Sequence, residues 1–151
     1  MTTEIKRLTN REVEDFIGLL NVYQEVFEGE TYLLDPSHLQ KLLNNDRFMV
    51  WVAKLENRVI GGLTVHILDR YDSVKPSAYI YDLGVLTEHQ RKGIGKKLIN
   101  SLREYCVQSD FEEMFVQAET EDTHAVNFYR STPISDELPA IHFSYEFSIE
   151  S

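Results

Sequence analysis

Cysteine occurs once, as Cys106, in a chain of 151 residues. A lone thiol closes no intrachain disulfide, so the fold must rest on a packed core, and a cytoplasmic location is expected. Basic residues are scarce: 15 Lys plus Arg stand against 25 Asp plus Glu, a formal charge of −10. Such a field repels phosphate backbones and anionic lipid, so no nucleic acid and no membrane are expected as partners. No apolar run approaches the roughly 18 residues of a membrane span. Met1 to Leu8 also lacks the apolar heart of a signal peptide. The histidines His38, His66, His89, His124 and His142 show no ligand spacing, so no metal is expected. No G-x-S-x-G elbow occurs. Repeats, linkers and low-complexity stretches are absent too.

The composition that remains is that of a globular chain. Hydrophobic residues make up 42% and charged residues 26%, which places it in the ordinary range. The length suits one domain over residues 1–151 with a core of its own. The acid excess favours a cationic small molecule or a basic peptide. It also serves plain solubility, and charge alone does not separate the two.

Periodicity outlines the elements. A short strand over Ile5–Leu8 precedes Thr9-Asn10-Arg11-Glu12, which has the form of a capping box. Val13, Phe16, Ile17, Leu20, Tyr23, Val26 and Phe27 then recur at helical spacing. Asp35-Pro36 reads as an N-cap and first helical position, opening a helix through Leu43. Phe48–Leu55 and Val59–Leu68 read as a hairpin around Glu56-Asn57-Arg58, with Gly61-Gly62 weakening or bulging the return strand. Ala78–Leu86 is strand-like. A helix follows from about Gly93 to Ser109, with Cys106 as a small core residue inside it. A strand over Met114–Ala118, a helix over Thr123–Arg130 and a closing strand over Ala140–Ile149 complete the order. The class is α/β (α+β): a single mixed, mostly antiparallel sheet flanked by about four helices.

The stretch that carries chemistry is Gln90-Arg91-Lys92-Gly93-Ile94-Gly95, between a strand and a helix. Glycines let a backbone approach an anion closely. The free amides and dipole of a helix start then attract that anion. Arg91, Lys92, Lys96 and Lys97 add positive charge, although a solvated helix start would look the same. The P-loop pattern fails because Gln90 and Lys97 stand where Gly and Ser or Thr belong. The dinucleotide pattern fails at Leu98, where a third glycine belongs.

What remains, Q-x-x-G-x-G after a strand and before a helix, resembles the acetyl-CoA motif of the GNAT superfamily of N-acetyltransferases. The strand YIYDLGV, the loop QRKGIG, the strand FVQAE and the helix AVNFY look most like the aminoglycoside 3-N-acetyltransferases (gentamicin acetyltransferases). The resemblance implies the GNAT fold and an acetyl-CoA-dependent transfer to a primary amine. It also implies a set of site residues. Gln90, Arg91, Lys92, Gly93, Ile94, Gly95 and Lys96 would hold the CoA pyrophosphate. Leu83, Gly84 and Val85 would offer a backbone N–H to the thioester oxygen, with Gly84 permitting a bulge. Tyr129 would protonate the leaving thiolate, and Asn127 would bond the CoA arm. After Tyr129 the family has a glycine turn; here Arg130-Ser131-Thr132-Pro133 replaces it.

The residues themselves nominate Asp82 as the base. A charge in mid-strand is costly unless useful, and period-2 alternation puts Asp82 on a face with Ile80 and Gly84. Glu28 and Glu30 after the first helix, and Glu119 and Glu121 after the fifth strand, are candidate acids for a cationic acceptor. Three functions stay open. They are an aminoglycoside acetyltransferase, a related enzyme for a polyamine or a protein lysine, and a non-catalytic acyl-CoA-binding module. A homodimer is one partner state: Phe143, Tyr145 and Phe147 of the closing strand either form its interface or bury their rings in the chain's own core.

Overall fold

The computed structural model describes residues 2–148. The chain divides into two compact units, Met1–Gln117 and Ala118–Ser151. No break in composition marks that junction.

The first unit is built on a five-stranded sheet in the order β1-β2-β3-β4-β5. The strands are β1 Glu4–Arg7, β2 Phe48–Leu55, β3 Arg58–Leu68, β4 Ser77–Val85 and β5 Glu113–Val116. Neighbours run antiparallel except β4 and β5, which are parallel. Helices α1 Val13–Val26, α2 Pro36–Leu43 and α3 Ile94–Gln108 belong to this unit, and α4 Thr123–Arg130 to the second. The expected mixed, mostly antiparallel sheet with about four helices is therefore what forms. No helix among the described residues is long and apolar enough to cross a membrane.

Local chemistry explains the boundaries. The Asp35 carboxylate accepts from the Ser37 amide at 3.0 Å and Pro36 opens α2, as its sequence suggests. The capping box near α1 forms in part. The Glu12 carboxylate accepts from the Thr9 amide at 2.7 Å and pairs with Lys6. The Thr9 hydroxyl, however, accepts from Arg11, so Glu12 becomes the cap and α1 starts at Val13. The β2–β3 hairpin turns on Glu56 and Asn57, with φ of 51° and 66°. Two left-handed residues in a two-residue loop match the twist of the flanking strands.

Helices cover both faces of the sheet. Trp51 packs its ring on Tyr105 of α3. The next residue, Val52, lies opposite Gly62, and a side chain on Gly62 would point at Leu19 of α1. Successive strand residues face opposite sides, so α1 and α3 lie on opposite faces. Phe16, Leu19 and Tyr23 of α1 and Leu98, Leu102 and Cys106 of α3 are buried there.

The register slips twice. Ala53 pairs with Gly61 and Lys54 with Val59, leaving Ile60 as an extra residue; the bulge is beside the Gly61-Gly62 pair. Thr64 pairs with Asp82 and Val65 with Ile80, leaving Tyr81 as the extra residue of β4. This corrects two expectations. The bulge lies at Tyr81, and Gly84 instead pairs in register with Gly62. A Cβ on Gly84 would come within 3.1 Å of Tyr23 and Val26 of α1, so its missing side chain makes room for the helix. Asp82 keeps a face with Gly84 but not with Ile80, because the bulge breaks the alternation between them.

The closing strand is also corrected. Residues 140–148 form no strand, and Ile141, Phe143, Tyr145 and Phe147 are 79%, 77%, 84% and 94% exposed. Their alternation is that of a strand, but a strand forms only where a neighbour supplies the ladder and a face to pack on. The rings are not buried in the chain's own core. Ile149 lies outside the described residues.

Gly62 supplies the sharpest test of the packing. A Cβ there would sit 2.4 Å from the Trp51 carbonyl oxygen and 2.8 Å from Leu19 Cδ1. Gly62→Ala should cost about 2 kcal/mol or more. Urea unfolding should show a lower midpoint at an unchanged slope, and an unmoved midpoint would contradict the close approach of α1.

Candidate active site

Strand β4 leads directly to the glycine-bearing loop. After Val85 the chain makes a 3₁₀ turn over Thr87–His89. The Gln90 amide donates to the Thr87 carbonyl at 3.2 Å, and its side-chain Nε2 donates to the Val85 carbonyl at 2.8 Å. Gln90 therefore ties the loop back to β4 rather than offering a free amide. Arg91 and Gly93 follow with φ of 63° and 81°. Left-handed residues in such a run turn successive N–H groups toward one concavity. The first bond of α3 runs from the Lys97 amide to the Gly93 carbonyl at 3.0 Å, and no side chain caps the helix. The amides from Arg91 to Lys96 thus have no partner among the described residues. A Cβ on Gly93 would meet nothing within 4 Å, so the concavity is open. Arg91, Lys92, Lys96 and Lys97 are exposed around it. None of these four is ion-paired among the described residues.

The strand before the loop has a bare edge. β4 pairs with β3 along its whole length, but with β5 only from Ser77 to Ile80. Leu83, Gly84 and Val85 lie beyond that point. The two strands are clamped at the other end: Glu113 of β5 accepts from Arg70 at 2.8 Å and from the Ser77 hydroxyl at 3.1 Å. Tyr79 stacks on Phe115 with ring centroids 4.8 Å apart. Beyond Ile80 the side of β4 turned away from β3 has no ladder partner among the described residues.

Asp82 sits at this edge, on the α1 face. It is half-buried, and no cation pairs with it among the described residues. Burial first, and then the charge of Glu30, pushes its carboxyl up to about 6. Glu28 and Glu30 are exposed in the segment after α1. Two tyrosines complete the surroundings. Tyr32 is pushed up to about 12 by burial, then by Asp82 and Glu30, so its hydroxyl stays protonated. Tyr23, buried on α1, donates its hydroxyl to the Asp82 carbonyl at 3.2 Å and lies 3.5 Å from the Thr64 hydroxyl. Only the helical spacing of Tyr23 was visible beforehand, which marked it as core and nothing more.

The second unit carries the remaining candidates. Asn127 is exposed and Tyr129 half-buried on α4, which Asp122 caps by accepting from the Ala125 amide at 3.1 Å. Glu119 and Glu121 are exposed before the helix. The helix end needs no glycine, because hydroxyls serve its last carbonyls. Ser131 donates to the Phe128 carbonyl at 2.5 Å and Thr132 to that of Tyr129 at 2.6 Å. Such back-bonding replaces the left-handed cap that glycine otherwise supplies.

Two other features stand apart from these residues. Cys106 is buried, which pushes its thiol up to about 11 and leaves it neutral and inert. A cleft of about 400 Å³, lined by Arg7, Asn10, Asn44 and Asp46 among others, has none of these candidates in its lining.

The position of Asp82 gives a stability prediction. An unfolded Asp titrates near about 3.9, below the folded value of about 6. Between those values the native state holds more protons, so stability falls as pH rises through the window and stays reduced above it. Asp82→Asn removes that cost. The thermal midpoint of the variant should exceed wild type at pH 8, and the difference should vanish by pH 4. Equal differences at both pH values would mean that the folded carboxyl titrates no higher than an unfolded one.

Residues 12–132 match the family model for the acetyltransferase (GNAT) family. An aminoglycoside acetyltransferase from an uncultured soil metagenomic sample is 46% identical, with 97% of each chain covered and a TM-score of 0.94; it has been solved with trehalose and with sisomicin. A second aminoglycoside acetyltransferase from an uncultured soil metagenomic sample, HMB0005, is 29% identical over 98% of this chain and 100% of its own, with a TM-score of 0.86. The aminoglycoside N-acetyltransferase AAC(6')-Iy, solved with CoA, is 18% identical over 97% of this chain and 96% of its own. Its TM-score of 0.79 shows a shared fold. No curated protein matches. The family match runs from the cap of α1 through the glycine loop to the end of α4, and on that span the chain belongs to the acetyltransferase (GNAT) family.

Proposed function

We propose that the chain acts over its whole length as one acetyl-CoA-dependent N-acetyltransferase domain. Its acceptor is a primary amine of a polycationic aminosugar, an aminoglycoside at its 3-N position. The observation that carries the reading is the run of amides from Arg91 to Lys96 and the four cations around them, all without a partner among the described residues of an acidic protein. That donor set fits a pyrophosphate: N–H groups, a helix dipole and positive charge converge on one open concavity. The two soil relatives are aminoglycoside acetyltransferases, one of them solved with sisomicin, and this supports the acceptor class. The fold shared with a CoA-bound relative supports the donor.

The roles follow from chemistry. Acetyl-CoA supplies an acetyl thioester when bound. The amides of Arg91, Lys92, Gly93, Ile94, Gly95 and Lys96 hold its pyrophosphate, and Gln90 keeps their loop against β4. A backbone N–H from Leu83, Gly84 or Val85, on the bare edge of β4, donates to the thioester oxygen as charge develops there. Asp82 holds the ammonium of the acceptor and takes its proton. A carboxyl near about 6 is a better base for this than an ordinary Asp, and is still largely ionised at neutral pH. Glu28, Glu30, Glu119 and Glu121 attract the other ammonium groups. Tyr129 returns a proton to the departing thiolate, and Asn127 bonds the CoA arm. The exposed rings of residues 141–147 are the surface on which a second copy would pair. The reaction needs no metal, and the cytoplasm supplies acetyl-CoA.

Thiol release from acetyl-CoA over a panel of aminoglycosides, polyamines and basic peptides tests the reading. Turnover should be confined to aminoglycosides and should weaken as salt rises, with the product acetylated at 3-N by mass and NMR analysis. No thiol release with any amine would sink it, and turnover confined to polyamines would remove the acceptor assignment. Tyr129→Phe should lower turnover about 100-fold or more with CoA binding unchanged.

Gly93 tests the cradle by itself. Any other residue at its left-handed φ is strained by about 1–2 kcal/mol. Gly93→Ala should weaken CoA binding in calorimetry by roughly 5- to 30-fold, and unchanged affinity would place the pyrophosphate elsewhere.

A further inference from the structure

The α1 face of the sheet carries a row of rings that acetyl transfer does not explain. Phe48 of β2 meets His66 of β3 with centroids 5.1 Å apart. His66 meets Tyr81 edge to face at 5.5 Å, and Tyr81 meets Tyr79 at 6.0 Å. Tyr79 in turn lies flat on Phe115 of β5, with 7° between the planes. Register builds most of the row, since His66 lies opposite Tyr79 and Tyr79 opposite Phe115. The bulge adds the rest. By inserting Tyr81 before Asp82 it turns that ring onto the same face as its neighbours and beside the carboxyl.

The rings are not equally hidden. Phe48 is buried, His66, Tyr79 and Phe115 are half-buried, and Tyr81 is 60% exposed. Tyr79 is further held by its hydroxyl, which donates to Gln117 at 3.0 Å. Tyr81 is therefore a presented ring on a fixed base. Asp82 follows it directly in the chain, and the charges of Asp82, Glu30 and Tyr81 all act on the Tyr32 hydroxyl.

A presented ring beside uncompensated acid suits a ligand with both a flat apolar face and positive charge. A linear polyamine has the charge but no face. A pyranoside bearing ammonium groups has both: its ring C–H groups, made more positive by the neighbouring ammonium groups, meet the negative face of an aromatic ring. Its cations meanwhile reach the carboxylates.

We propose that Tyr81, backed by His66 and Tyr79, is the stacking floor of the acceptor site, and that it selects cationic pyranosides over acyclic polyamines of equal charge. The inference rests on the acetyltransferase reading with Asp82 at the acceptor nitrogen.

The test compares two polycations on the full chain by calorimetry, an aminoglycoside with four amines and spermine. Tyr81→Ala should weaken the aminoglycoside about tenfold and leave spermine unchanged, while Tyr81→Phe should stay near wild type. A neutral disaccharide, titrated while tyrosine ring signals are followed by NMR, separates the floor from the charge. Its addition should shift Tyr81 and Tyr79, and the Tyr79 shift should disappear in Tyr81→Ala. Thermal midpoints should match wild type in both variants, because the ring is exposed. Equal loss for both polycations, no loss for either, or Tyr81→Phe as weak as Tyr81→Ala overturns the proposal. Failure of the acetyltransferase reading looks different: no thiol is released with any amine, while the selectivity and the ring shifts persist.

Discussion

Strand β4 keeps one ladder for its full length and loses the other after Ile80. A buried amide without a partner costs about 1–3 kcal/mol, so a bare edge persists only where water or a ligand meets it. The same condition recurs a few residues later at the start of α3, where the amides from Arg91 to Lys96 have no partner among the described residues. The Gln90 side chain, bonded to the Val85 carbonyl, joins the two places. The Glu113, Arg70 and Ser77 cluster closes the opposite end of the β4–β5 pair. The sheet is thus sealed where the polar backbone must be satisfied internally. Within the first unit it keeps one short run of donors that no other described strand pairs with.

The bulge in β4 decides what chemistry that opening faces. Without the extra residue, strict alternation would put Asp82 with Ile80, on the face toward α3. With it, Tyr81 and Asp82 both turn to the α1 face, where Tyr23 anchors the Asp82 carbonyl and Gly84 admits the helix. Bulges commonly re-aim a side chain next to an active site. The result is an acid that is half-buried and has no cation partner among the described residues. Such a group reduces the stability of the chain that carries it, and a cationic acceptor would supply the missing charge.

The sequence revealed the parts governed by local rules and missed the parts governed by partners. Asp35-Pro36 opens α2 as a cap and first turn do anywhere, and Phe48–Leu55 is a strand by its own composition. The glycine loop was legible because its chemistry lies in consecutive residues. The bulge was not, because an extra residue in β4 is defined only against β3; Gly84 drew attention as the flexible residue, yet Tyr81 is the one inserted. Tyr23 is invisible as a site residue for the same reason, since its meaning comes from Asp82, far away in the chain. The closing segment fails in the opposite sense. Its alternation of Ile141, Phe143, Tyr145 and Phe147 is clear, but pattern without a neighbouring strand makes no strand.

Charge placement gives an independent argument about the loop. A helix start carries partial positive charge, and natural helices favour Asp or Glu there, each worth about 0.3–1 kcal/mol. Helix α3 does the reverse: its first turn holds no acid, and Arg91, Lys92, Lys96 and Lys97 crowd the end. In a chain with a net charge of −10, acids to pair with them are plentiful, yet none of the four has an ion-pair partner among the described residues. Four cations set against the dipole, unpaired, and around free amides form a local misfit for stability. Sites where local rules fail together in this way are where function is expected, and the charge that resolves all three failures at once is an anion.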